Sequence, residues 1–165
     1  WQEHHVDMAF DYDRKEAKTH GEASRGKSIF VNQALFDGCR IFVVDDVATS
    51  MGTKLELLEK IDAEARRRGM SFDVTGIGIG IDREQTTAVY DQEGQVVLGQ
   101  RGENAIQDFV QKTGVPVYPV AGIREVVEFL YKEKVPVMIR GKRVPMDVNT
   151  KETFDTYLET YGTCG

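Results

Sequence analysis

The chain has 165 residues, of which 41% are hydrophobic and 29% charged, and its formal net charge is −6. That length accommodates one domain with a sizeable core and is short for two. The acidic balance excludes a general nucleic-acid binder, and no apolar run reaches the length of a membrane span. The two cysteines, Cys39 and Cys164, lie far apart and match no zinc spacing. That cysteine usage leads to the expectation of a reduced, cytoplasmic setting, and no N-terminal apolar segment resembles a secretion signal. The chain opens at Trp1 without an initiator methionine, as a fragment or processed form would.

His4, His5 and Asp7 read as a polar lead-in rather than a metal site, because adjacent residues of a strand point to opposite faces. Met8–Phe10 reads as the end of a short strand. Asp13 to Ser28 is a long polar loop, and such a loop in a compact domain is usually functional or disordered. Its segment Arg14–Lys27 carries Arg14, Lys15, Lys18, Arg25 and Lys27 against Glu16 and Glu22, a net +3, with His20 inside it. A local anionic ligand is one reading of that segment; a solvated loop is the other.

"RIFVVDD" is a continuous apolar run of strand length, as expected where both sheet faces are covered by helices. Residues 53–68 follow as a helix with Leu55, Leu58, Ile61 and Ala65 on one face, stopped by Gly69. "FDVTGIGIGID" is a second strand. Its isoleucines lie on one face and Gly76, Gly78 and Gly80 on the other, where something must approach closely. A hairpin turning near Glu93-Gly94 follows, then a helix over 104–113 closed by Gly114. "VPVYPV" is a strand whose prolines favour a sheet edge. A helix over 123–132, a second hairpin about Gly141 and a helix over 150–161 complete the chain. Strands alternating with helices predict an α/β fold with a mainly parallel sheet flanked by helices, in one domain over 1–165.

Ligands of such folds sit beyond the carboxyl ends of the strands. Asp45 and Asp46 stand at one such end, followed by "VATSMGT" and a helix. Backbone N–H groups and hydroxyls of that loop can wrap a phosphate at a helix N-terminus. The acids would repel the phosphate, but they suit vicinal hydroxyls of a sugar. Together these describe a ribose 5-phosphate site.

At this point the residues resemble a family. "VVDDVATSMGT" is similar to the phosphoribosyl pyrophosphate (PRPP) motif of type I phosphoribosyltransferases. "DRKEAKTHGE" is similar to the mobile catalytic loop of the orotate phosphoribosyltransferases, and "GIDREQ" to their strand-end segment. The resemblance runs from Met8 to Leu130, with a weaker echo in the last helix. It implies transfer of the 5-phosphoribosyl group from PRPP to orotate, by residues in the following roles. Lys18, His20, Asp45 and Asp46 would be catalytic. PRPP would be held by Arg14, Lys15, Lys18, His20, Asp45, Asp46, Val47, Ala48, Thr49, Ser50, Met51, Gly52 and Thr53. Thr49 and Arg83 would contact orotate. The resemblance further implies Mg²⁺ carried mainly by PRPP rather than by protein ligands. It implies a homodimer whose loop reaches the neighbouring subunit's site, and neither nucleic acid nor membrane as partner.

There are departures. Met51 stands where the superfamily often has glycine, which implies a different loop geometry. The hairpin after Gln85 reads as an insertion, and the family's N-terminal portion has no counterpart, which implies an impaired chain. Two other readings compete: a PRPP-binding regulator, or an enzyme for another base. A phosphoacceptor receiver domain also opens on "IFVVDD". It needs a third strand-end aspartate and a Lys-Pro pair, and no such pair occurs.

Overall fold

The computed structural model describes residues 8–13 and 28–163. Within them the elements are β1 (Cys39–Ala48), α1 (Gly52–Arg68), β2 (Phe72–Asp82), α2 (Ala105–Thr113), β3 (Val117–Gly122), α3 (Ile123–Lys132), β4 (Val137–Ile139), β5 (Lys142–Val144) and α4 (Val148–Tyr161). The first three strands form a sheet in the order β1-β2-β3. β2 and β3 run parallel, with Ile77 opposite Val117 and Ile81 opposite Ala121. The proline-containing β3 lies at an edge, as its missing N–H donor requires. β4 and β5 form a separate antiparallel hairpin turning at Arg140-Gly141.

The chain divides into two compact units, Trp1–Ile41 with Glu56–Val74, and Phe42–Leu55 with Thr75–Gly165. In the first, Phe30, Cys39 and Ile61 are buried, together with Glu64, whose carboxylate takes paired bonds from Arg67. Asp13 bridges to Phe30 and pairs with Lys60 at 2.5 Å. Met8 and Phe10 are exposed and form no strand, contrary to expectation. The backbone there instead serves as a lead-in to Asp11, whose carboxylate accepts the N–H groups of Asn32 and Ala34.

The core of the second unit consists of Ala48, Met51, Ile77, Ile79, Ala105, Phe109, Val127 and Leu158. Its helices begin and end where the local chemistry requires. Asn104 accepts the N–H groups of Ile106 and Gln107 to start α2, and Gly114 closes it in the left-handed region. Asp147 accepts Thr150 N–H to start α4, two residues earlier than the sequence pattern suggests. The hairpin after Gln85 is minimal, a bridge from Tyr90 to Val96 with Asp91 N–H donating to Gln95 O.

One expectation fails. β1 alternates between exposed and covered residues and is not buried on both faces. Phe42, Val44, Tyr118 and Val120 share the outward face, Val44 and Val120 being 79% and 86% exposed. Glycines supply that face of β2. The rings of Phe42 and Tyr118 stack at 6.2 Å over them, and a Cβ at Gly78 would stand 2.9 Å from the Phe42 ring. The close approach expected of the glycine stripe is therefore made by aromatic rings and, at Gly80, by the Asp46 carbonyl.

Candidate functional site

The strand-end loop is shorter than the sequence suggests. β1 runs two residues beyond the acids, to Ala48, and α1 begins at Gly52, leaving Thr49, Ser50 and Met51 as the connection. Met51 has φ of 59°, a left-handed backbone that a glycine adopts without strain. The Met51 side chain, 2% exposed, is anchored in the core. The Met51 carbonyl accepts the N–H groups of Lys54 and Leu55, turning the chain directly into α1. Thr49 and Ser50 are left on the outside.

The two acids are not equivalent. Both lie within β1, so their side chains leave on opposite faces. Asp45 is fully engaged: Oδ2 pairs with Lys54 Nζ at 2.5 Å, and Oδ1 accepts the Asp46 N–H at 2.9 Å. Lys54 is 6% exposed and donates also to Val47 O at 3.0 Å, so it ties the strand end to the first turn of α1. Burial alone would push the Asp45 carboxyl up. The Lys54 hydrogen bond, the Asp46 N–H and the lysine's charge outweigh it and hold Asp45 below the ordinary carboxylate range. Asp46 is exposed.

Arg83 lies just past the end of β2 and is exposed. Its N–H donates to Ala48 O at 3.2 Å, which joins the two strand ends directly. Beside it, burial pushes the Asp82 carboxyl up, opposed by the Glu84 N–H it accepts at 2.7 Å. The structure therefore brings together Asp45 to Thr53 with Arg83. Arg14, Lys15, Lys18 and His20 lie outside the described residues, as do His4, His5, Asp7 and Cys164.

Sequence reasoning missed Lys54, Glu84 and Arg124. Lys54 had a readable signal: it is in helical register with Leu58 and Ile61, a cation on the apolar stripe next to strand-end acids. Glu84 and Arg124 had none, because they meet across forty residues.

These features define the class of fold. A parallel sheet flanked by helices, with an acid-tipped strand turning through a left-handed residue into a helix, is a type I phosphoribosyltransferase-like fold. In agreement, the structure of Leishmania donovani UMP synthase matches 90% of this chain and 23% of that one, with a TM-score of 0.57 and 18% identity. The curated proteins that the chain is similar to are orotate phosphoribosyltransferases. The chain is 27% identical over 166 residues to the orotate phosphoribosyltransferase of Bifidobacterium adolescentis, covering 96% of this chain and 58% of the relative. It is 29% identical over 157 residues to that of Clostridium acetobutylicum, covering 95% and 58%. The chain thus spans little more than half the length of these curated relatives. No family model matches it.

Proposed function

We propose that this chain transfers the 5-phosphoribosyl group of PRPP to orotate, giving orotidine 5′-monophosphate and pyrophosphate. The observation that carries the reading is the Arg83 N–H to Ala48 O bond. It couples a ribose-phosphate loop to a cation suited to an acidic base. In this reading Asp46 takes the ribose hydroxyls, and Thr49 to Thr53 take the 5′-phosphate at the start of α1. The Arg83 guanidinium offers paired donors to the carboxylate or imide edge of orotate. Asp45 acts at one remove: held by Lys54, it fixes the strand end from which Asp46 projects.

Displacement of pyrophosphate from C1 places positive charge on the ribose and negative charge on the leaving group. The basic residues Arg14, Lys15, Lys18 and His20 would stabilise the latter, and a loop acting on bound substrate would keep water from the cation. Mg²⁺ belongs to this reading. Among the described residues no three His, Cys, Asp or Glu side chains converge on a metal position. The exposed Asp46 carboxylate fits an ion held chiefly by substrate oxygens. When bound, the ion would neutralise charge on the pyrophosphate.

The reading extends to a homodimer with the basic loop acting across subunits, in the cytoplasm. No described helix is long and apolar enough to cross a membrane. The test is a turnover assay with PRPP, Mg²⁺ and a panel of nucleobases. Orotate-dependent release of pyrophosphate supports the proposal. Binding of PRPP without turnover of any base would replace it with a regulator. Lys18→Ala mixed with Arg83→Ala should regain activity through heterodimers; failure to do so would assign the loop to its own chain.

A further inference from the structure

Glu84 has φ of 49°, and a residue with a Cβ persists there only where its surroundings over-determine it. Here they do. Its N–H donates to Asp82 Oδ1 at 2.7 Å, and its carbonyl accepts Thr163 N–H at 2.8 Å. Its Oε2 accepts the Arg124 N–H at 2.7 Å, capping α3. The capping carboxylate fills the space beside Gly122, where a Cβ would stand 2.9 Å from it. The Arg124 side chain turns back over the same point. Its Nη2 donates to Leu158 O at 3.3 Å and Thr163 O at 3.1 Å, joining the end of α4 to the start of α3. Its Nε is buried without a hydrogen-bond partner, 3.7 Å from Glu84 Oε1. A buried orphan donor of a guanidinium is costly, and the adjacent carboxylate charge is what offsets it.

This clasp closes on the residue next to Arg83. On one side Arg83 is tied through its N–H to Ala48 O; on the other, the chain is locked in a left-handed turn by α3 and the end of α4. The side chain of Arg83 is exposed. We propose that Glu84 and Arg124 are positioning residues that set the direction of Arg83, so that the end of α4 controls the base side of the site independently of the phosphoribosyl side. The inference rests on the reading of Arg83 as the orotate contact. Asp45, Lys54 and Met51, which hold the phosphoribosyl side, share no hydrogen bond with the clasp among those described.

The test is the kinetics of Arg124→Ala and Arg124→Lys in the intact chain, with melting temperature recorded in parallel. Arg124→Ala should raise the KM for orotate about tenfold while leaving that for PRPP within about twofold. Arg124→Lys should recover part of the loss, because it keeps the charge beside Glu84 but not the forked donors. Equal changes for both substrates, or a loss of melting temperature with neither KM altered, would overturn the proposal and leave a C-terminal anchor. If Arg124→Ala does not fold, Glu84→Gln provides the same split, since the amide still caps α3 and removes only the charge. If the wild-type chain turns over no orotate, amide hydrogen exchange decides. Faster exchange at Glu84 and Thr86 in Arg124→Ala, with Asp46 unchanged, supports the clasp. Unaltered exchange at Glu84 and Thr86 overturns it, whatever the fate of the orotate reading.

Discussion

Met51 is where backbone strain and core packing meet, and the two can be separated. Its φ of 59° costs an L-residue about 1–2 kcal/mol. Its buried side chain is worth about 2–5 kcal/mol against alanine, the usual range for truncating a core methionine. Met51→Ala removes the packing and keeps the strain. Met51→Gly removes both, loses a further methyl worth about 0.8 kcal/mol, and adds about 0.5–1 kcal/mol of unfolded-state entropy. Strain relief therefore roughly cancels the two extra losses. The expected order is wild type well above two variants that lie within about 0.5–1 kcal/mol of each other. At an ordinary buried position glycine would fall about 1.5 kcal/mol below alanine, from the same methyl and entropy terms. Urea unfolding at constant m-value measures this, with melting temperatures falling by about 4–20 °C for a chain of this size. A Met51→Gly variant clearly less stable than Met51→Ala would refute the left-handed assignment. A Met51→Ala variant as stable as wild type would refute the packing argument.

The inequality of the two acids predicts that Asp46→Asn weakens PRPP binding by about tenfold or more without loss of fold, as removal of a charged hydrogen-bond acceptor does; calorimetric titration with PRPP checks it, and unchanged affinity would remove Asp46 from the ribose site. Asp45 and Asp82 should respond to pH with opposite signs. The folded Asp45 lies below its unfolded value, so its stabilisation is present above the unfolded pKa and is lost as pH falls through the folded one. The folded Asp82 lies above its unfolded value, so its ionisation costs stability that accrues as pH rises from the unfolded towards the folded pKa. Relative to wild type, Asp45→Asn should therefore lose stability as pH rises through the acid range and Asp82→Asn should gain it; in a pH series of denaturant midpoints, a trend of the opposite sign in either variant would contradict the assignment for that residue. Gly80→Ala would put a Cβ 2.8 Å from the Asp46 carbonyl, a backbone atom that cannot step aside cheaply. It should destabilise by about 1–3 kcal/mol and weaken PRPP binding, whereas an unaffected melting temperature would show that β1 and β2 have room to part.

Periodicity in the sequence determined most of the elements, because local physics determines them. β2, α2, α3 and the β4–β5 hairpin lie within a residue or two of where the alternation, the caps and the glycines indicate. The edge position of β3 was legible too, since a proline lacks the donor that a central strand needs. The candidate site was likewise read from one contiguous stretch, Asp45 to Thr53, which the fold places at the end of β1 and the start of α1. What that stretch could not reveal is how its members divide. A strand sends Asp45 and Asp46 to opposite faces, and only the folded α1 brings Lys54 back onto one of them. The exposed face of Phe42, Val44, Tyr118 and Val120 was equally hidden, since an apolar strand reads the same whether one face is covered or two. The meeting of Glu84 with Arg124 and Thr163 joins segments far apart along the chain. No local pattern encodes such a contact; it exists only once the sheet order and the end of α4 bring these groups to one point.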